Sequence, residues 1–283
     1  MKLLRFGPKG REKPGILDKQ GVARDLSGVI DDITPETLAA GAIAKARKID
    51  PETLPKVSSR SRIGACVGKV RHFIAIGLNY VDHAKETNSP IPEEPIIFSK
   101  APSCIVGPND DVVIPHRSKK TDWEVELAVI IGRGGYMIDE KKAMSHVAGY
   151  AVCHDVSERE HQLERGGTWM KGKGSPTFGP LGPWLVTRDE VKDPQNLDMF
   201  LEVNGKRMQN GNTRTMIFGV PHLVSYLSRF MLLEAGDVIT TGTPPGVGMG
   251  LKPKPKYLKG GETVRLGIEG LGEQVQKVVK YKP

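Results

Sequence analysis

The chain has 283 residues, of which 38% are hydrophobic, so it is long enough to bury a sizeable core. Lysine and arginine (41) outnumber aspartate and glutamate (33), which gives a formal net charge of +8. The cysteines form no C-x-x-C pair, which argues against structural zinc and predicts reduced thiols in a cytoplasmic protein. No apolar run approaches the roughly 20 residues of a membrane span, and the N-terminus does not resemble a secretory signal.

The basic excess is scattered along the chain and does not form a nucleic-acid-binding stripe. Its densest clusters, residues 117–120 and 252–256, are short and contain no interleaved aromatic side chains. Clusters of this kind are typical of a solvated surface, and a basic balance also suits a small anionic substrate. We therefore expect such a substrate, with no nucleic acid and no membrane as partners.

The first predicted elements lie in a polar, mixed segment, residues 1–70. A hairpin is expected from Leu3–Phe6 and Gly15–Leu17. Two copies of Pro-Glu-Thr-Leu follow, each after an N-cap residue, Thr34 or Asp50, with proline at the first helical position. We interpret this segment as a small N-terminal cap domain.

From residue 71 onward the pattern becomes rich in strands, and residues 71–283 are interpreted as a second, larger domain. The dipeptide Asn204-Gly205 predicts a hairpin turn. Helices are few and irregularly placed, which favours a strand-rich α+β fold over a doubly wound parallel sheet. Strands are predicted over residues 72–76, 96–98, 112–114, 124–131, 147–152, 238–241, 263–268 and 274–281, a hairpin over 201–209, and helices over 139–144 and 218–230.

Two glutamates one residue apart, Glu124 and Glu126, lie in the most strand-like run of the chain, residues 123–131. Alternate side chains of a strand share a face, so the two carboxylates lie side by side, next to Ala128 and Ile130. Asp155 follows another apolar strand, and three such carboxylates suit Mg²⁺, Mn²⁺ or Ca²⁺. On spacing alone, a surface strand with two solvated carboxylates explains the pair as well as a metal site does.

A second constellation lies in residues 79–86, where His83 and Glu86 would share a face if this segment is helical. A carboxylate beside a histidine orients the ring and raises its basicity, which suits a general base. An incidental pair on a surface helix is the simpler interpretation of this spacing alone.

Two glycine-rich segments are candidates for ligand contact. Gly167 to Lys173 matches most of a phosphate-binding G-x-x-x-x-G-K motif, but Gly174 replaces the required serine or threonine and no apolar strand precedes the motif. Lys173 still suits an anionic ligand. The loop over residues 240–250 follows a strand and would contact ligand through backbone amides, although a plain connection has the same composition.

Taken together, these segments resemble the fumarylacetoacetate hydrolase superfamily over residues 70–283. The resemblance is carried by an ordered set of motifs: Gly77-Leu78-Asn79-Tyr80-x-x-His83, Glu124-x-Glu126, Asp155, Gly172-Lys173, Phe178-Gly179-Pro180 and Thr241-Gly242-Thr243-Pro244. Residues 1–7 also resemble the bacterial branch that hydrolyses 2,4-diketo-3-deoxy sugar acids.

The resemblance implies a mixed β-roll or barrel-like catalytic domain, a homodimer, and a Mg²⁺-dependent hydrolase that cleaves a carbon–carbon bond in a 2,4-dioxo acid. It implies that Glu124, Glu126 and Asp155 hold Mg²⁺ and that His83 with Glu86 activates water. Lys173 would lie beside the metal, and Gly242 and Thr243 would contact the substrate. One departure is the stretch Gly174-Ser175-Pro176-Thr177, which lacks an acidic residue common after the lysine loop of many relatives.

Other reactions could use the same site. The alternatives are ureidoglycolate cleavage, isomerisation or hydration in the manner of a 2-hydroxyhepta-2,4-diene-1,7-dioate isomerase, and decarboxylation of oxaloacetate-like acids. A nucleotide- or nucleic-acid-binding protein is the alternative from another class. It is disfavoured by the incomplete phosphate motif and by the scattered basic residues.

Overall fold

The structure is a computed structural model that describes residues 1–283. Its strands are β1 (Lys2–Phe6), β2 (Lys13–Leu17), β3 (Ala23–Asp25), β4 (Phe73–Gly77), β5 (Ile96–Lys100), β6 (Ile105–Val106), β7 (Val112–Ile114), β8 (Thr121–Asp122), β9 (Val125–Ile131), β10 (Val147–His154), β11 (Ser157–Glu158), β12 (Gly179–Thr187), β13 (Asp198–Val203), β14 (Lys206–Asn212), β15 (Val238–Thr240), β16 (Thr263–Ile268) and β17 (Gly272–Lys280). Its α-helices are α1 (Pro35–Ala39), α2 (Ala42–Ala46), α3 (Val81–Glu86), α4 (Glu140–Ala143), α5 (Met170–Lys173) and α6 (Val220–Leu227).

The larger of two main sheets has the strand order β3-β2-β1-β12-β10-β9-β15-β4-β5, with β6 paired to β12. Most neighbours are antiparallel, and β15–β4 and β6–β12 are the parallel pairs of this sheet. The end strands β3 and β5 do not pair with each other, so the sheet does not close into a barrel. The predicted strand-rich α+β class is confirmed, and the fold is open rather than a closed barrel.

Strand β9 separates two hydrophobic cores, one on each face of the large sheet. Val125, Leu127 and Val129 belong to one core, and Ala128 and Ile130 belong to the other. This alternation is the one that the period-2 pattern predicts for a strand buried on both faces. It places Glu124 and Glu126 on the face that continues through small Ala128, where the sheet edge leaves room for a cavity.

The second main sheet has the order β14-β13-β16-β17-β7 and is joined to the first by buried amides. Gln274 Nε2 donates to Val152 O at 2.9 Å, and Gln276 Oε1 lies 3.0 Å from Nδ1 of His154. Buried polar groups need such partners, so these contacts fix where β17 crosses β10. The end of β10 is thereby held rigidly just before Asp155.

The N-terminal segment adds strands to the large sheet, because β1 pairs with β12 and Leu3 lies opposite Leu185. Helix α1 begins at the predicted N-cap, where Thr34 and Thr37 form a reciprocal capping box. The segment at Asp50 forms a single 3₁₀ turn, Pro51–Thr53. The division into domains at residue 70 stays a prediction.

The remaining helices are short. Helix α6 is shorter than the predicted 218–230, since Pro221 restricts its first turn and Ser228 caps its end. No helix is both long and apolar enough to cross a membrane.

Candidate active site

A cavity of about 270 Å³ opens where the C-terminal ends of β4 and β15 meet the N-terminal end of β9. This edge carries Glu126 of β9, Glu124 just before that strand, and Gly242 and Thr243 from the segment after β15. Helix α3 follows β4 directly and contributes His83, while α5 contributes Lys173. The strand register therefore gathers residues that are far apart in sequence into one cavity.

Three carboxylates cluster at the base of the cavity, and two of them, Glu124 and Glu126, line it. Oxygen atoms of Glu124, Glu126 and Asp155 all lie within 4.8 Å of one another, and all three residues are buried. Asp155 comes into place because Cys153 of β10 pairs with Glu126 and the Asp155 amide donates to Glu124 O at 3.0 Å. The structure therefore confirms the prediction that these two strands bring the three acidic side chains close together.

Two of these carboxylates belong to a buried network of alternating charges. The network also contains Asp122 and three basic side chains, Lys100, Arg159 and Lys173. Its links are Lys100 Nζ to Asp155 Oδ1 (2.6 Å), Asp155 Oδ2 to Lys173 Nζ (2.6 Å), Lys173 Nζ to Glu124 Oε2 (2.7 Å), Glu124 Oε1 to Arg159 Nη2 (2.6 Å) and Arg159 Nε to Asp122 Oδ2 (2.9 Å). Burial alone would raise the pKa of Glu124, but Lys173 and Arg159 outweigh it and hold the pKa well below its usual range.

Glu126 is the exception, because no basic side chain forms an ion pair with it. Its Oε2 accepts a hydrogen bond of 2.9 Å from the Gly242 amide. Burial and the neighbouring charges of Asp155 and Glu124 raise the pKa of Glu126 well above its ordinary value. An ionised carboxylate here needs a cation, so the donor set fits a hard divalent ion.

His83 and Glu86 lie one turn apart on α3, as the sequence predicts. Nδ1 of His83 lies 3.1 Å from Oε2 of Glu86, and the other carboxylate oxygen accepts from the Gly246 amide at 2.9 Å. A carboxylate at Nδ1 selects the tautomer protonated there and leaves Nε2 as a lone-pair acceptor. His83 lines the cavity, so an oriented base faces the carboxylates.

Gly242 and Thr243 line the cavity, but their polar groups are occupied by the protein itself. The Gly242 amide binds Glu126, and the Thr243 hydroxyl donates to Val125 O (2.9 Å) and accepts from Gln209 Nε2 (2.8 Å). Gly242 has φ +88°, a left-handed conformation that favours glycine. Their contact with a substrate stays a prediction, and the observed contacts hold the loop against β9.

Lys173 is the last residue of helix α5, whereas the sequence suggested a glycine-rich loop. Its ammonium group is bound by Glu124 and Asp155, so the run before it is not arranged as a phosphate cradle. Gly172 is required for close packing, since a Cβ there would lie 2.4 Å from Glu158 O. The glycine therefore lets α5 approach β11 and brings Lys173 to the carboxylates.

Three residues of the charge network were not singled out from the sequence: Lys100, Asp122 and Arg159. Lys100 is the last residue of an apolar strand, β5. A charged residue at the end of an apolar strand is the same sequence signal that singled out Asp155. Asp122 and Arg159 lie in polar stretches that look solvated. Asp122 accepts from the Gly248 amide at 2.6 Å and the Met249 amide at 3.0 Å, so it also anchors the loop beyond Thr243.

The family model for the C-terminal part of fumarylacetoacetate (FAA) hydrolase matches residues 72–279, which include every residue of this cavity. The chain belongs to the fumarylacetoacetate hydrolase family. Members of this family are hydrolases and isomerases, and the chain is an enzyme of this kind.

Proteins similar to this member of the fumarylacetoacetate hydrolase family include relatives of both kinds. A Burkholderia ambifaria protein named "Putative hydrolase" is 63% identical over 276 residues, 98% of each chain. A Mycobacterium abscessus structure described as a probable 2-hydroxyhepta-2,4-diene-1,7-dioate isomerase is 33% identical, with TM-score 0.84 over 100% of both chains. Maleylpyruvate hydrolase from Sphingobium sp. SYK-6, in complex with manganese(II) and pyruvate, is 28% identical, with TM-score 0.81 over 100% of both chains.

Proposed function

We propose that this protein is a Mg²⁺-dependent hydrolase that cleaves the C3–C4 bond of a 2,4-dioxo acid. Water adds its hydroxyl to the distal carbonyl carbon, and the three-carbon fragment leaves as an enolate that becomes pyruvate after protonation. The observation that carries this proposal is the unpaired buried Glu126 beside two other carboxylates, facing the His83–Glu86 pair.

A divalent metal fits the residues that are present. Glu124, Glu126 and Asp155 offer only carboxylate oxygens, which Mg²⁺ prefers, and Mn²⁺ or Ca²⁺ would find the same donors. When bound, the metal would supply Lewis-acid stabilisation of negative charge on the substrate oxygens. A similar protein, maleylpyruvate hydrolase, was solved with manganese and pyruvate, which supports the assignment of this cavity to a metal and a 2-oxo acid.

His83 is the proposed general base. Glu86 holds Nδ1, so Nε2 is free to take a proton from water as the oxygen attacks the distal carbonyl. Glu86 also binds the Gly246 amide, which fixes the position of the carboxylate and therefore of the imidazole. This arrangement favours hydrolysis, since a simple decarboxylation does not require an oriented base.

Lys173 is proposed to stabilise the enolate that leaves. An ammonium group has three N–H donors, and two of them are directed to Glu124 and Asp155. The third donor is free for a substrate oxygen at the cavity base. A fixed charge of this kind lowers the barrier because it needs no rearrangement when negative charge develops.

The direct test is turnover of 2,4-dioxopentanoate by chelator-treated protein with and without added Mg²⁺, Mn²⁺ or Ca²⁺. Pyruvate formation should require the metal, and Glu124→Gln should lower both turnover and metal affinity measured by calorimetry. Full activity in metal-free protein would overturn the proposed site. Parallel assays with a 2,4-diketo-3-deoxy sugar acid, oxaloacetate and ureidoglycolate would identify the preferred substrate.

Isomerisation is the second candidate, because a structure with TM-score 0.84 is described as a probable dioate isomerase. The two reactions give different products. Solvent containing H₂¹⁸O distinguishes them, since hydrolysis places one labelled oxygen in the carboxylic acid product and isomerisation does not.

We propose that the enzyme acts as a cytoplasmic homodimer. An exposed apolar patch supports an interface between copies: Tyr136, Met137, Phe230 and Leu232 are each more than half exposed, and the Gly135–Leu233 bridge joins their two segments. Light scattering should show the mass of two chains, and a monomer would contradict this proposal.

A further inference from the structure

We propose that a basic groove on the second main sheet binds a small anion that carries two or more phosphate groups. The groove lies where the chain leaves β7 and β17, beside the loop that precedes β16. Its volume is about 460 Å³, and it shares no lining residue with the active-site cavity. Four cationic side chains line it: Arg117, Lys119, Lys259 and Lys280. The inference therefore does not depend on the proposed function.

The four cations of the groove have no acidic partner. None of them forms an ion pair, whereas the neighbouring Lys120 is paired with Glu164. No carboxylate lines the groove. Four like charges that converge on one concave surface repel each other and create a positive potential, which attracts anions. A ligand with several negative charges relieves this repulsion better than a single carboxylate does.

Two acidic residues next to the groove are bound to donors of the protein. Glu262 accepts from the amides of Lys259 and Gly260, at 3.1 and 2.8 Å. Glu158 is fully buried and accepts from the hydroxyl of Ser118. Even when both acids are counted, four positive charges against two negative ones leave the groove with an excess of positive charge.

Hydrogen bonds of the backbone hold the walls of the groove in place. The Tyr281 amide donates to Ile114 O at 3.2 Å, which joins the end of β17 to β7. The Ser118 amide donates to Pro115 O at 3.0 Å and closes the turn that carries Arg117. Arg117 has φ +61°, a conformation that is uncommon for a residue with a side chain. A backbone that is fixed before the ligand arrives lowers the entropic cost of binding.

Tyr281 adds an aromatic surface at the side of the groove. The residue is 50% exposed, and its ring meets His116 edge-on, with centroids 5.8 Å apart at an interplanar angle of 71°. An aromatic ring beside phosphate-binding cations is a surface on which a nucleobase stacks. The polyphosphate chemistry thus has two sources, an inorganic polyphosphate or a nucleotide. The incomplete phosphate motif at residues 167–173 is not part of this groove.

Calorimetry on the full-length protein with tripolyphosphate and inorganic phosphate tests the groove. Excess Mg²⁺ is present throughout, so that chelation by a probe does not alter the metal content of the protein. We expect tripolyphosphate to bind at least about tenfold more tightly than inorganic phosphate, because it contacts several cations at once. No binding of tripolyphosphate at about 1 mM, or equal Kd values for the two probes, would overturn the inference.

A pair of double variants locates the binding. Lys259→Gln/Lys280→Gln removes two charges of the groove and should raise the Kd of tripolyphosphate about fivefold to tenfold. Lys45→Gln/Lys48→Gln is the matched control, because these two lysines are exposed in the N-terminal segment, and its Kd should change less than about twofold. Both variants should melt at the wild-type temperature. An unchanged Kd in the groove variant, or equal losses in both variants, would contradict the proposed site.

ATP distinguishes the two sources of the polyphosphate. If the ligand is a nucleotide, ATP should bind about fivefold or more tightly than tripolyphosphate, and Tyr281→Leu should remove that difference. If ATP and tripolyphosphate bind equally, the phosphate chain alone is recognised, and the groove remains a polyphosphate site. A single-stranded oligonucleotide that binds more tightly than both probes would overturn the assignment to a small anion.

Discussion

Lys100 is fully buried, and its ammonium group lies 2.6 Å from Oδ1 of Asp155. Asp155 also binds Lys173, so its two oxygens are fixed by different lysines. Burial would lower the pKa of Lys100, but the charge of Asp155 outweighs it and raises the pKa, which keeps the lysine charged. Lys100 is therefore the anchor at one end of the network that positions the cavity carboxylates.

Replacing Lys100 tests that anchor. Lys100→Met should lower the free energy of unfolding by about 3–5 kcal/mol, because it leaves a buried charge of Asp155 without one of its partners. Urea titration followed by circular dichroism measures this loss. Lys13→Met is a matched control on an exposed side chain and should change stability by less than about 0.5 kcal/mol. If Lys100→Met lowered the free energy of unfolding no more than Lys13→Met does, the ion pair between Lys100 and Asp155 would not be structurally important.

Glu86 should act on catalysis through His83. Glu86→Gln keeps an acceptor for the Gly246 amide but replaces the carboxylate at His83 Nδ1, so the imidazole loses its fixed tautomer. We expect kcat to fall about 10²-fold with little change in KM, because general base catalysis contributes roughly 10²–10⁴-fold. Asp82→Asn, an exposed change on the same helix, should leave kcat unchanged. An unchanged pH profile of kcat in Glu86→Gln would contradict the orienting role.

Glu126 should destabilise the metal-free protein and stabilise the metal-bound one. The carboxylate is buried beside Asp155 and Glu124 without a basic partner, so Glu126→Gln removes repulsion while it preserves shape. We expect the variant to melt at a higher temperature than wild type after chelation. Added Mg²⁺ should raise the melting temperature of wild type much more than that of the variant. Equal Mg²⁺-induced shifts in both proteins would exclude Glu126 as a ligand.

Gly242 should be intolerant of any side chain. It has φ +88°, and a Cβ would lie 2.9 Å from Cβ of Asn79. Gly242→Ala should destabilise the fold by about 1–3 kcal/mol and weaken the amide contact to Glu126. Gly28→Ala is the control, since that position has open space and an ordinary φ. The test is to measure the melting temperatures of both variants by thermal unfolding. Similar melting temperatures would show that the fold does not require the left-handed conformation at Gly242.

Local patterns in the sequence were sufficient to predict most secondary-structure elements and several residues of the site. Period-2 alternation predicted β9 and which of its side chains share a face, and an N-cap followed by proline predicted the start of α1. The i, i+3 spacing of His83 and Glu86 was meaningful because helix geometry places such residues on one face. These features depend on backbone geometry over a few residues, which is why they can be inferred without contacts.

The sequence by itself determined the strand-rich class, the motifs of the family and the acids that could meet at one edge. Only the tertiary structure decided that Lys100, Arg159 and Asp122 join those acids, that the Thr243 hydroxyl is occupied by Val125 and Gln209, and that the sheet stays open. Charge pairing depends on distances of a few ångströms between residues far apart in the chain. Those distances follow from strand order and register, which local patterns do not encode.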